Sequence, residues 1–166
     1  DHWGSVDGDV LTNRIRYLAR SCNVDWIILD HISIVVSGRG DGDERRLIDN
    51  LMTNLRSLAE ELNVGMFIVS HLKRPMQGKG HEDGKQISIG DLRGSGAIAQ
   101  LSDFVIGLER DQQEGHETVV RVLKARYKGS STGVATSLWY STDTGRLSEC
   151  SGILENGHSE DREPPF

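Results

Sequence analysis

The chain has 166 residues, 36% hydrophobic and 27% charged, with a formal net charge of −6, a balance that suits one water-soluble globular domain large enough to bury a core. Its apolar runs fall far short of the roughly 20 residues a membrane-spanning helix needs, and the Asp-His-Trp-Gly start has neither the basic nor the apolar region of an export signal. Cys22 and Cys150 lie far apart without metal-ligand spacing, so no disulfide framework or cysteine metal site is indicated, no membrane partner is expected, and the cytoplasm is the default compartment.

In chain order, Leu11, Ile15 and Leu18 recur at helical spacing with arginines between them, which predicts a short amphipathic helix. Val24 to Leu29 is a near-continuous apolar run, the pattern of a strand covered on both faces, and it ends in Asp30. Ser37 to Gly42 reads as a glycine-rich loop. Asp43 then caps a long helix striped by Leu47, Leu51, Leu55, Leu58 and Leu62 and ended by Asn63 and Gly65. Met66 to Val69 predicts a second buried strand, closed by Ser70 and His71. This alternation, with a polar residue just past each strand, is the grammar of a doubly wound α/β sheet, in which ligands belong at those strand ends.

Lys73 to Gln86 lacks apolar periodicity and is rich in Gly and Pro, as in an exposed loop. From Lys73 to Arg93 five cations (Lys73, Arg74, Lys79, Lys85 and Arg93) face three carboxylates, so this segment can meet phosphates although the chain is acidic. Next come a short strand at Ile87 to Ile89, a helix from Ser95 to Ser102 and a buried strand from Phe104 to Leu108. Hairpins punctuated by Gly115 and Gly133 join Val119 to Tyr127 and Val134 to Tyr140. The domain is drawn as residues 1–148. Residues 149–166, acidic and rich in Gly, Ser, Glu and Pro, read as a disordered tail.

Among single residues, Asp30 can hold the coordination shell of Mg²⁺ at a nucleotide, or can be a turn residue. His71 can hydrogen-bond a terminal phosphate, or can be exposed punctuation. Lys124 and Arg126 stand two apart on one strand, roughly 7 Å from each other on one face, where they can reach one polyphosphate or simply protect an edge. Arg110 and Tyr140 can stack on a base or pack on the surface. His2, His31, His81, His116 and His158 show no ligand spacing.

The succession Ile28-Leu29-Asp30-His31, Ser70-His71-Leu72-Lys73, Asp91-Leu92-Arg93-Gly94-Ser95-Gly96-Ala97 with Gln100, and Lys124-Ala125-Arg126-Tyr127 resembles the DnaB-type replicative helicases, in particular the primase-helicases of T-seven-like phages and their Twinkle relatives. The resemblance runs from about Asp25 to Tyr140. It implies a RecA-like α/β core of mostly parallel sheet flanked by helices, with C-terminal antiparallel hairpins. It further implies a homo-oligomeric ring, most simply a hexamer, with ATP or another NTP and Mg²⁺ between subunits and single-stranded DNA in the channel. By position, Asp30 would be the acid acting on Mg²⁺, His71 the γ-phosphate sensor, and Gln100 its link to the DNA loop. Lys124 and Arg126 would be cations donated to a neighbour's nucleotide, and Arg110 and Tyr140 would bracket its base. Lys73, Lys79, Arg93 and Gly94 would contact DNA, with Gln77 and Ala99 replacing basic residues of the phage proteins. The tail, ending at Phe166, would dock a replicative DNA polymerase.

No G-x-x-x-x-G-K-[ST] phosphate loop occurs in the chain. The expectation is therefore the C-terminal part of a longer helicase, incomplete at its N-terminus and inactive alone, that in full would unwind duplex DNA 5'→3'. A RecA- or KaiC-like ring ATPase of recombination or signalling, and a non-catalytic binding module, are the alternatives.

Overall fold

The computed structural model describes residues 8–35, 41–75, 78, 80–93, 96–113, 115–127 and 131–150. Helix α1 (Gly8–Ser21) leads into strand β1 (Trp26–Leu29), a 3₁₀ turn (Ile32–Val35), the long helix α2 (Asp41–Leu62) and strand β2 (Gly65–Ile68). A second 3₁₀ turn (Ile89–Asp91) and helix α3 (Gly96–Leu101) precede strands β3 (Phe104–Glu109), β4 (Glu117–Ala125), β5 (Gly133–Tyr140) and β6 (Leu147–Glu149).

The core is organised by α2. Its apolar residues recur every three or four positions, so Ile48, Leu51, Met52, Leu55 and Leu58 share one buried stripe, completed by Ile15, Ile32 and Ile98. Asn63 ends the helix with φ 51°, the left-handed conformation that asparagine tolerates at a helix C-terminus. Glu61 of α2 takes Arg20 at 2.6 Å and Arg16 at 3.4 Å, which fixes α1 alongside.

β1 and β2 pair in parallel, Trp26 opposite Gly65 and Leu29 opposite Ile68. The four later strands form an antiparallel sheet in the order β3-β4-β5-β6. The fold is thus α/β with antiparallel C-terminal hairpins, and parallel pairing among the described residues is confined to β1 and β2.

Several sequence expectations are corrected. β1 is not covered on both faces: Trp26 is 64% and Ile28 73% exposed, while Ile27 and Leu29 pack on the core. Phe67 on β2 is likewise exposed. β3 alternates too, with Phe104, Ile106 and Leu108 exposed and Val105 and Glu109 buried. Apolar residues on both faces gave a continuous run without two-sided cover. Ile87 to Ile89 is no strand, because Ser88 bonds to Asp91 and winds the chain into a 3₁₀ turn. β4 ends at Ala125, so Arg126 lies one residue beyond it, and β6 (Leu147–Glu149) joins the sheet where no strand was predicted. The loop at 37–42 overlaps the start of α2 at Asp41, its earlier residues lying outside the described ones.

Candidate functional site

The parallel register brings the ends of β1 and β2 together, since Val69 N–H donates to Leu29 O at 2.9 Å and Ile32 N–H to Val69 O at 3.0 Å. Asp30, one residue past β1, and His71, three past β2, therefore emerge at the same C-terminal end of the paired strands, both exposed. The rings of His31 and His71 pack with centroids 4.2 Å apart. His31 Nδ1 is buried with no hydrogen-bond partner among the described residues. Sequence spacing did not single out His31; its position directly after the strand-end acid was the available signal.

Just past His71 the chain forms a pinched neck. Leu72 bridges Leu92, Lys73 N–H donates to Asp91 O at 2.7 Å, and Arg93 N–H donates to His71 O at 2.9 Å. His71, Leu72, Lys73, Arg74 and Arg93 line a concave, predominantly basic surface of about 580 Å³. Lys73 Nζ donates to Gly90 O at 3.2 Å, and Arg93 Nε lies 3.7 Å from Glu44. Asp91 locks the neck: the Ser88 hydroxyl and backbone N–H donate to its Oδ2, and Lys85 approaches its Oδ1 at 3.3 Å. The Ser88 hydroxyl, then the Ser88 N–H, outweigh burial and with Lys85 hold its carboxyl down at about 2. Lys79, Gly94 and Gln77 lie outside the described residues.

A third group surrounds the end of α3. Lys124 Nζ donates to the carbonyls of Ala99 (2.6 Å), Gln100 (3.1 Å) and Ser102 (2.9 Å). Arg126 Nη2 donates to Gln100 O at 3.0 Å, and its Nη1 lies 3.1 Å from Asp103. The two cations meet on one patch, but that patch is the C-terminus of their own helix, where unsatisfied carbonyls and the helix dipole attract positive charge. The Gln100 side chain is exposed on α3. The structure thus places Asp30 and His71 at one end of the β1–β2 pair, and brings Lys124 and Arg126 to the backbone carbonyl of Gln100.

The guanidinium of Arg110 sits 5.5 Å from the Tyr140 ring centroid, a cation–π distance. Arg110 Nη2 lies 3.5 Å from His116 Nδ1, whose ring meets Trp139 edge-on. His116, which shows no ligand spacing in the sequence, is brought here only by the β4–β5 register, with Tyr140 N–H donating to His116 O.

Glu109 and Arg121 form a bidentate pair at 2.7 and 3.0 Å, and Ile87 N–H donates to Glu109 at 2.8 Å. Burial alone would raise the Glu109 pKa, but the Arg121 and Ile87 donors hold it below the ordinary value. This pair anchors the loop rather than a ligand.

Among the described residues no cluster of three His, Cys, Asp or Glu side chains can hold a metal by itself. Asp30 alone fits Mg²⁺, an ion that commonly keeps several waters and takes one or two carboxylates with the substrate's phosphates. No described helix is long and apolar enough to cross a membrane. Phe166 lies outside the described residues.

Residues 2–145 match the family described as DnaB-like helicase C terminal domain. The chain is 44% identical over 149 residues to the DNA helicase/primase of Enterobacteria phage T3, covering 89% of the chain and 26% of that protein. It therefore spans about a quarter of that relative's length. Among solved structures, a DnaB-like replicative helicase studied with primase superimposes at a TM-score of 0.68 with 21% identity, over 89% of this chain and 36% of that one.

Proposed function

This chain belongs to the DnaB-like helicase C-terminal domain family, and we propose that it supplies part of the motor of an NTP-driven replicative DNA helicase assembled as a ring on single-stranded DNA. The observation that carries the reading is the emergence of Asp30 and His71 together at neighbouring strand ends, beside a basic concavity. Asp30 would hold Mg²⁺, which when bound neutralises charge on the phosphates. His71 would hydrogen-bond the terminal phosphate, and its carbonyl's bond to Arg93 would pass phosphate loss to the DNA-binding neck. Lys73 and Arg93, with Lys79 and Gly94, would grip DNA phosphates without reading bases, as translocation requires. Gln100 would link that neck to the phosphate sensor. Arg126 would face the neighbouring subunit's nucleotide, Lys124 would do so on releasing the α3 carbonyls it holds here, and Arg110 with Tyr140 would stack on a base.

The finer details are part of the same proposal: six subunits, 5'→3' polarity, a domain at 1–148, and a tail at 149–166 whose Phe166 docks a polymerase. Since no phosphate loop occurs within these residues, the chain by itself is expected not to hydrolyse NTP. In rings of the full-length protein, Arg126→Ala should lower kcat by about 10³-fold or more while nucleotide binding persists. Rings mixing Arg126→Ala and wild-type subunits decide the matter. Failure of the variant to inhibit its neighbours would refute donation in trans.

A further inference from the structure

We propose that Asp103 is the positioning residue for Arg126, an assignment that rests on Arg126 facing a neighbouring subunit's polyphosphate. The placement begins in the sheet register. Phe104 pairs with Ala125, so Asp103 and Arg126 are the next cross-strand pair, and Arg126 N–H donates to Asp103 O at 2.8 Å. Main chain and side chain then act together, because Arg126 Nη1 reaches Asp103 Oδ1 at 3.1 Å while Nη2 reaches Gln100 O at 3.0 Å.

The two cations at this edge are not equivalent. An ammonium has three N–H groups, and Lys124 directs its Nζ at three carbonyls of the α3 end. Lys124 is engaged in holding the helix. A guanidinium has five N–H groups in a fixed fork, and Arg126 uses two of its nitrogens in the contacts above. Held from one side by Asp103 and Gln100 O, it keeps N–H groups for an anion presented from the other. Pre-setting such a group lowers the entropy and reorganisation cost of meeting a transition state.

Asp103 is itself fixed. Its second oxygen, Oδ2, accepts from Arg56 Nη1 of α2 at 2.6 Å. Arg56 in turn pairs with Glu60 at 2.9 Å. A rigid core helix thus sets the carboxylate that sets Arg126.

The test uses rings of the full-length helicase and steady-state NTP hydrolysis. Asp103→Asn should lower kcat about 10- to 100-fold with KM within about twofold, because positioning for the transition state, not uniform binding, is lost. Asp103→Glu should recover part of kcat. Arg56→Gln, which frees Asp103 Oδ2 but leaves Oδ1 for Arg126, should lower kcat by a factor smaller than Asp103→Asn does, again with KM within about twofold. The double variant Asp103→Asn with Arg126→Ala should fall no further than Arg126→Ala alone. Wild-type kcat in Asp103→Asn, or a larger kcat loss in Arg56→Gln than in Asp103→Asn, would overturn the positioning role. Retention of kcat by Arg126→Ala would instead sink the underlying reading, and this role with it.

Discussion

Asp91 shows how one carboxylate can hold two segments of chain. It accepts both the hydroxyl and backbone N–H of Ser88, and its own carbonyl accepts Lys73 N–H. Its pKa falls from 3.8 to about 2, chiefly through the Ser88 hydroxyl. Folding therefore favours the ionised form: the contribution is full above 3.8 and is lost as pH falls through about 2. Asp91→Ala should cost on the order of 2 kcal/mol at pH 7. Urea unfolding of both proteins at pH 7 and near pH 2 checks this, and the difference should shrink at the acid end. At this scale the placement of Asp30 and His71 just past strand ends was readable from the apolar runs before them. The contacts of Asp103 and His116 were not readable, because they arise from cross-strand neighbours that no local pattern encodes.

Among the elements, α2 carries the core and was the plainest in the sequence. Its leucines keep helical spacing for the whole length, so period alone sufficed. Leu55 is 2% exposed at the centre of that stripe. Leu55→Ala should destabilise by about 2–5 kcal/mol through lost transfer energy and the cavity left behind, measured as a lower denaturant midpoint with an unchanged slope. The strands were harder. In β3 the large residues Phe104, Ile106 and Leu108 lie on the exposed face, while the opposite face includes Gly107 and the ion-paired Glu109. Apolar content thus pointed away from the buried side. Ile87 and Ile89 look like strand residues, yet Ile87 is buried with Gly107 and Leu123 nearby, while Ser88 is drawn to Asp91. β6 is short, exposed and polar; only its pairing with Leu138 to Tyr140 identifies it.

For the whole molecule, the informative feature is the apolar surface left open on β1 and β2. Trp26, Ile28, Phe67 and Val69 are all at least 42% exposed, although each sits on or beside a core strand. Contiguous exposed apolar surface of this kind marks an interface or an aggregation liability. The 166-residue chain should therefore bind an apolar fluorescent dye and self-associate. Ile28→Thr with Phe67→Thr should reduce both, read by dye emission and sedimentation; undiminished association would place the sticky surface elsewhere.

Trp26 lies against Gly65, where an added Cβ would collide with its ring, and its centroid is 5.4 Å from that of Phe67. Its indole is consequently seated yet open to water, whereas Trp139 is half-buried against His116. The protein carries its own optical gauge. With Trp3 and Trp139 replaced by Phe, a blue shift of the remaining emission would signal, in real time, the moment another surface closes over this side of the sheet.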